Sequence, residues 1–167
     1  MKNETLIYII FAFVIILFLF RKKVDTALNM TRGYRNNNPG NIRLTYDSKG
    51  KKTYWRGEID GVDKSFKTFK NMYYGYRAIF ITLNSYFNKD HDTIEKIVSR
   101  YAPAEDNNNV QSYIKTLAMF TEKEPDERLS FSDNQTILKL VEGISFHENG
   151  IKPDVSQINE GYKLFKS

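Results

Sequence analysis

A continuous apolar segment limits what the first 23 residues of the chain can form. Residues 6–20 are 15 apolar residues in a row, preceded by Glu4 and followed by the basic tripeptide 21–23. As a helix this run rises roughly 22 Å, somewhat less than the ~30 Å hydrocarbon core of a bilayer. Because long basic side chains can snorkel and extend such a span, we predict a transmembrane anchor in residues 1–23 that contacts lipid through residues 5–20.

Two other interpretations of this segment stay open. A signal peptide carries its positive charge before the apolar run and ends in a small-residue cleavage site, and the chain has neither feature before Asn29. A buried core element is the third option, but this run contains aromatic residues and no polar one. The basic residues after the run predict, by the positive-inside rule, that the rest of the chain lies on the cytoplasmic side or its equivalent. Residues 24–31 are then a tether.

Residues 32–167 are enough for one globular domain with a core and too few for two. The net charge of +5 is unevenly spread, because residues 32–77 carry 11 basic and 4 acidic side chains, whereas residues 78–167 carry 10 and 14. The basic segment also contains acidic and apolar positions, so an anionic cell wall explains it as well as phosphate does, and we expect no nucleic-acid partner. With no cysteine and two histidines, no metal and no cofactor are expected.

The periodicity of residues 32–167 changes partway along the chain. Residues 42–46, 52–56 and 65–69 alternate or carry strand-forming residues between turns, which predicts a small antiparallel sheet. From Asn71 onward the apolar spacing becomes helical, with starts at Asp92–Thr93, Asn109 and residues 132–135. The predicted fold class is α+β, a mainly helical body with a small antiparallel β-hairpin or sheet.

Glu148 is the strongest candidate for a catalytic residue. It continues the apolar stripe of Val141 and Ile144 and lies in the last turn before Gly150, where the helix dipole disfavours negative charge. Partial burial and the helix end are both expected to raise its pKa. A carboxyl that stays protonated near neutral pH can act as a general acid on a glycosidic oxygen. The alternative is a frayed helix end whose carboxylate faces water.

An asparagine-rich turn is the second candidate feature. The amides of Asn36, Asn37, Asn38 and Asn41 suit sugar hydroxyl and N-acetyl groups, although such asparagines often only bind their own backbone. Pro39 and Gly40 predict a type II turn between them. Trp55 can stack on a sugar ring or belong to the core. Asp63 is the least weak candidate for a second carboxylate, and its alternative role is that of a turn residue.

These residues resemble a family of phage and prophage virion-associated proteins with a lysozyme-like, lytic transglycosylase-like domain. The resemblance begins with Arg32-Gly33-Tyr34, followed by the run Arg35-Asn36-Asn37-Asn38-Pro39-Gly40-Asn41-Ile42-Arg43. It continues through Trp55-Arg56-Gly57, Asp63 with Phe66 and Phe69, Gly75-Tyr76-Arg77-Ala78, Thr93-Ile94, residues 101–107, Tyr113 and His147-Glu148-Asn149-Gly150. It implies a lysozyme-like fold for residues 32–167 and a peptidoglycan substrate. It also adds Arg43 and Tyr101 to the substrate-binding candidates. If the glycan cleft is a permuted version of the family's, Glu148 is expected within about 10 Å of Asn38 and Asn41.

The sequence therefore predicts a membrane-anchored phage protein that cleaves the glycan strand of peptidoglycan, with Glu148 as the general acid. A transglycosylase is preferred because no second carboxylate is convincing. Its expected partners are peptidoglycan, lipid and other virion proteins. Its expected location is single-pass in the internal membrane of a virion or in the host inner membrane. The alternative is a non-catalytic structural protein that keeps a glycan-binding fold.

Overall fold

The computed structural model describes Tyr8 and residues 12–17, 30–103 and 109–167. The chain divides into two compact units, Met1–Thr31 and Arg32–Ser167. The helices and strands that position the candidate site all belong to the second unit.

The predicted N-terminal transmembrane helix is wrong. Among the residues that the structure describes, no helix has both the length and the apolar character needed to cross a membrane. Of the predicted anchor, the structure describes Tyr8 and residues 12–17, which are helical. The rest of the predicted anchor, and residues 24–29 of the predicted tether, lie outside the described residues.

The second unit is mainly helical with two small antiparallel sheets. Its elements, in chain order, are α1 (Arg32–Arg35), β1 (Thr45–Tyr46), β2 (Lys52–Thr53), β3 (Glu58–Ile59), β4 (Thr68–Phe69), α2 (Met72–Phe87), α3 (Ile94–Tyr101), α4 (Val110–Thr121), α5 (Asn134–Asn149) and α6 (Val155–Lys166).

The part of the chain that carries the strands, residues 42–69, is called the strand segment. Its strands form two separate pairs instead of the one sheet expected from the sequence. In the first pair Thr45 lies opposite Thr53, and in the second Glu58 lies opposite Phe69. A single bridge between Arg43 and Phe66 connects the predicted first and third strands. The strands are short because turns interrupt them, and at Gly57 the backbone adopts a φ of 80° that most residues avoid.

Side-chain caps define where the long helices begin. The side chains of Asn71, Thr93, Asn109 and Asp133 each accept a backbone N–H from the first turn of the helix that follows. Three of these starts match the sequence prediction directly, and Asp133 lies inside the predicted start at 132–135. Such caps satisfy amide groups that the helix itself leaves without partners.

The helices enclose a core of buried apolar side chains, in which α2 packs against α6 and α4 against α5. The fully buried members include Tyr76, Ile79, Phe80, Leu83, Ile97, Leu117, Leu140 and Ile144. Helix α6 was not predicted from the sequence. It begins at a cap on Asp154 and contributes Ile158, which is 1% exposed, to this core.

Candidate active site

A cavity of about 470 Å³ lies against the end of α5. The strand segment, α2, α3 and α5 all contribute to its wall. The lining residues are Asn41, Ile42, Arg43, Thr45, Trp55, Phe66, Thr82, Tyr86, Arg100, Tyr101, Ala102, Pro103 and Glu148. Five of the residues predicted from sequence to act on substrate therefore share one cavity: Asn41, Arg43, Trp55, Tyr101 and Glu148.

Glu148 is the carboxyl group of this cavity. It lies in the last turn of α5, which ends at Gly150 with a φ of 64°. Its Oε2 accepts a hydrogen bond from Asn41 Nδ2 at 2.8 Å, and its Oε1 accepts one from the Tyr113 hydroxyl at 3.0 Å. The predicted proximity of Glu148 to Asn41 is confirmed by the first of these bonds.

Burial raises the pKa of Glu148 above its ordinary value, and the hydrogen bonds from Asn41 and Tyr113 act in the opposite direction. Donors to a carboxylate stabilise its charged form, whereas removal from water disfavours that form. The net direction agrees with the prediction, and burial is the larger cause. A carboxyl in this state keeps a proton at a higher pH than an exposed one does.

The asparagine turn, residues 38–41, is hydrogen-bonded to α5 beside Glu148. Asn149 Nδ2, on the next residue of the helix, donates to Pro39 O at 2.7 Å. Asn41 N donates to Asn38 O at 2.9 Å, which closes the turn. The turn is not type II, because the positive φ falls on Asn41, at 45°, and not on Gly40. That φ directs the Asn41 side chain so that its amide meets the carboxyl.

Gly40 is required for a steric reason. A Cβ at this position would collide with the hydroxyl of Tyr101 and with the side chain of Ile79. The Tyr101 hydroxyl donates to Gly40 O at 2.6 Å, so its polar end holds the turn while its ring lines the cavity. Burial keeps the pKa of Tyr101 well above its ordinary value, and the charge of Glu148 adds to this effect.

Tyr113 is a functional candidate that the sequence indicated only as one of the residues of the family resemblance. It is 2% exposed, and its ring stacks on His147 with centroids 3.8 Å apart. His147 Nδ1 in turn lies 3.1 Å from the Thr116 hydroxyl. Helical spacing shows that Tyr113 points inward, but only the packing of α4 on α5 places its hydroxyl on Glu148.

A buried ion pair lies behind Trp55. Lys67 Nζ donates to Glu58 Oε2 at 2.7 Å, and both side chains are 0% exposed. Glu58 Oε2 also accepts the backbone N–H of Trp55 at 3.0 Å, and the ammonium lies 5.1 Å from the centroid of the indole ring. The pair therefore holds the backbone of Trp55 and supports the face of its ring that is turned toward Lys67.

Four predicted substrate-binding residues do not line this cavity: Asn36, Asn37, Asn38 and Asp63. Asn38 is fully buried, and its amide donates to Ile42 O and Lys67 O. Asn37 Nδ2 donates to Phe69 O. These asparagines bind backbone, which was the alternative interpretation of the run.

Asp63 also has a structural role, because its carboxylate is bonded to other groups of the protein. Its carboxylate accepts hydrogen bonds from Arg32 Nε at 2.7 Å and from Asn36 Nδ2 at 3.0 Å. It also accepts the backbone N–H groups of Ser65 and Phe66. The Arg32 guanidinium, followed by these other donors, holds the pKa of Asp63 far below its usual range. A carboxylate with this many partners has little capacity left for a substrate.

Carboxylates are scarce around the cavity, and Glu148 is the only one that lines it within the described part of the chain. Over the same residues no group of three or more histidine, aspartate and glutamate side chains is arranged to hold a metal ion. The chemistry available at this site therefore depends on one carboxyl with a raised pKa, two arginines and several aromatic rings.

The chain is similar in sequence to a phage protein. No known protein-family model matches the chain. The chain is 30% identical over 148 residues to "Protein P5" of Pseudoalteromonas phage PM2, and the match covers 87% of this chain and 86% of the relative. The chain thus belongs to a family of phage proteins. It is a member of the Protein P5 family, and the phage origin expected from the sequence is confirmed.

Proposed function

We propose that the chain is a phage enzyme that cleaves the glycan strand of peptidoglycan, with Glu148 as its catalytic acid. The observation that carries the proposal is the state of that carboxyl. It lines a cavity beside the Trp55 ring, burial raises its pKa, and two neutral donors hold both of its oxygens in place. General acids of glycoside-cleaving enzymes need a raised pKa of this kind.

In the first step the protonated Glu148 donates its proton to the glycosidic oxygen. The bond between that oxygen and the anomeric carbon breaks, the leaving sugar departs as an alcohol, and positive charge develops on the remaining ring. The Glu148 carboxylate that results is stabilised by the donors from Asn41 and Tyr113. These two bonds strengthen as the charge forms, so they favour the transition state over the ground state.

In the second step we favour attack by the sugar's own 6-hydroxyl on the anomeric carbon. The Glu148 carboxylate accepts the hydroxyl proton, and the product is a 1,6-anhydro ring. A hydrolase needs a second carboxylate about 5–9.5 Å away to act as nucleophile or base. Glu148 is the only carboxylate on the cavity wall among the residues described, which supports a lytic transglycosylase over a hydrolase.

The remaining cavity residues suit saccharide binding. The Trp55 ring offers a face for a sugar, Asn41 and Thr82 offer polar groups, and the ring of Tyr101 forms wall beside Glu148. Arg43 also lines the cavity, and its guanidinium lies 5.4 Å from the Phe66 centroid. A wall that combines aromatic and aliphatic side chains with polar and charged groups is typical of small-ligand sites.

Membership of a phage family supports a place for this activity in the virion, where it would aid penetration of the cell wall or lysis of the host. In that setting the enzyme would contact peptidoglycan strands and other virion proteins. The basic strand segment would add attraction to an anionic wall.

The test is to incubate the full chain, its Glu148→Gln variant and its Glu142→Gln variant with purified peptidoglycan, and to identify the soluble products. Glu142 lies on the same helix, bonds Lys139 and does not line the cavity, so it is the matched control. Anhydromuramyl ends from the wild type and the control, but not from Glu148→Gln, support a transglycosylase. Reducing ends instead would show a hydrolase.

A non-catalytic virion structural protein is the second candidate. It is favoured by one observation, that both oxygens of Glu148 already have partners within the protein. On this alternative no soluble product appears from any of the three proteins, and Glu148→Gln binds insoluble peptidoglycan as the wild type does.

A further inference from the structure

Arg100 differs from the other arginines that the structure describes. Each of those has a partner: Arg32 and Arg128 pair with carboxylates, Arg56 and Arg77 donate to oxygens, Arg43 lies over an aromatic ring, and Arg35 also has an interaction. Over the same described residues, the guanidinium of Arg100 makes no hydrogen bond, ion pair or ring contact. It is exposed, and it lines the cavity that contains Glu148.

The position of Arg100 is held through its backbone. It is the second-last residue of α3, and its carbonyl accepts a hydrogen bond from the Tyr86 hydroxyl at 3.3 Å. Tyr86 lines the same cavity, and the positive charge of Arg100 acts on that phenol, lowering its pKa against the larger upward effect of burial. The side chain therefore carries its charge close to the cavity wall while its backbone is restrained.

The charge around the cavity is positive. Arg43 and Arg100 both line it, and Glu148 is the only acidic side chain that does so in the described ranges. Burial raises the pKa of Glu148 and so disfavours its charged form, which lessens its capacity to neutralise the two guanidinium groups. Guanidinium groups bind carboxylates through paired, charge-assisted hydrogen bonds.

We propose that Arg100 is an anion subsite that binds a carboxylate of the saccharide in the cavity, so that the site selects acidic glycans over neutral ones. The saccharide part of this inference rests on the proposed function, whereas the anion subsite does not require cleavage. In peptidoglycan the lactyl carboxyl of the sugar is a free carboxylate only where the stem peptide is absent, because the peptide is joined to it through an amide, and the stem peptide carries carboxylates of its own. The subsite is assigned to the carboxylate, and the ligands tested separate its two sources.

Trp55 provides a binding signal that is independent of turnover. It is the single tryptophan of the chain and it lines the same cavity, so its fluorescence reports on occupancy. The titrations use the full chain with Glu148→Gln to prevent cleavage. The ligands are chitotetraose, which is neutral, an alternating tetrasaccharide with free lactyl carboxylates, and the same tetrasaccharide with stem peptides attached.

Arg100→Gln is expected to weaken binding of the acidic tetrasaccharide by about tenfold, which corresponds to the loss of one charge-assisted contact. Binding of chitotetraose is expected to stay within twofold. Arg100→Lys keeps the charge and should recover part of the loss. Lys152→Gln removes one positive charge from an exposed position outside the cavity and should leave all three affinities unchanged.

Equal loss for neutral and acidic ligands, or no loss for either, would overturn the anion subsite. A loss seen only with the peptide-bearing ligand would assign the carboxylate to the stem peptide, and a loss seen only with the peptide-free acidic ligand would assign it to the lactyl group. A loss with both acidic ligands would show that the subsite accepts either carboxylate. If no product forms from peptidoglycan but Arg100→Gln still weakens acidic ligands selectively, the subsite stands and the proposed enzyme fails. If no saccharide binds at all, both fail.

Discussion

Asn41 Nδ2 donates a hydrogen bond to Glu148 Oε2 at 2.8 Å, although the two residues are 107 positions apart in the chain. This bond joins the turn that precedes the strand segment to the last turn of α5. A neighbouring bond, from Asn149 Nδ2 to the backbone carbonyl of Pro39, also connects α5 to this turn. The candidate acid and the turn beside it therefore form one structural unit, and either part can be altered to test the other.

Removal of the Asn41 amide is expected to raise the pKa of Glu148 further. Asn41 has a φ of 45°, so glycine is the replacement that loses the amide without backbone strain. With one donor to the carboxylate gone, the alkaline limb of the activity profile should move to higher pH. The carboxyl also loses orientation, so kcat/KM should fall roughly tenfold at its optimum. Asn37→Gly, at a φ of 49°, is the matched control and should leave the profile in place.

Loss of the Tyr113 hydroxyl should also raise the pKa of Glu148, because it removes the donor to the other carboxyl oxygen. Tyr113→Phe keeps the ring that stacks on His147 and removes the donor to Oε1. A ¹³C NMR titration of the Glu148 carboxyl is expected to show a pKa above that of the wild type. Tyr101→Phe loses a hydroxyl that bonds Gly40 O instead. Equal shifts in both variants would argue against a specific role for Tyr113.

Glu148→Gln is expected to stabilise the fold at neutral pH. Burial raises the pKa of Glu148 in the folded state, so its proton is bound more tightly there than in the unfolded chain. Below about pH 4.3 the group is protonated in both states and makes no difference, whereas above its folded pKa the folded state carries a buried charge. The gain in Tm, roughly 2–4 °C for each kcal/mol, should appear at pH 7 and vanish near pH 4. A gain that persists unchanged at pH 4 would contradict this account.

The Lys67–Glu58 pair provides a test of what supports Trp55. Lys67→Met leaves the buried carboxylate of Glu58 with only the partly exposed Lys52, 3.4 Å away, as its cation, and up to about 3–5 kcal/mol of unfolding free energy should be lost in chemical denaturation. The double variant Lys67→Met with Glu58→Leu should regain most of that loss. Its tryptophan emission should still differ from the wild type, because the bond from Trp55 N to Glu58 is gone.

An exposed pair is the control for that experiment. Lys163 and Glu160 are 71% and 47% exposed, and Lys163→Met should cost at most about 1 kcal/mol. If Lys67→Met cost no more than this, the buried pair would have no special part in the strand segment.

Local signals in the sequence were sufficient to place the ends of several helices. Asn71, Thr93 and Asn109 are caps whose side chains bond the next turn, and this depends only on residues three or four positions away. Gly150 ends α5 for an equally local reason. Helix α6 was missed although its cap at Asp154 and the buried Ile158 carry the same signals.

The sequence by itself determined that Glu148 lies at the end of an amphipathic helix, that the asparagine run forms a turn, and that one domain follows residue 31. These features depend on neighbouring residues and on apolar spacing. Hydropathy alone predicted a membrane span that is wrong. Only the tertiary structure decided which asparagine meets Glu148 and that Asp63 is held by Arg32. It also decided that Tyr113 bonds the Glu148 carboxyl and that Arg100 lines the cavity beside it. Such pairings depend on how helices and turns far apart in the chain pack together, and no local pattern encodes that packing.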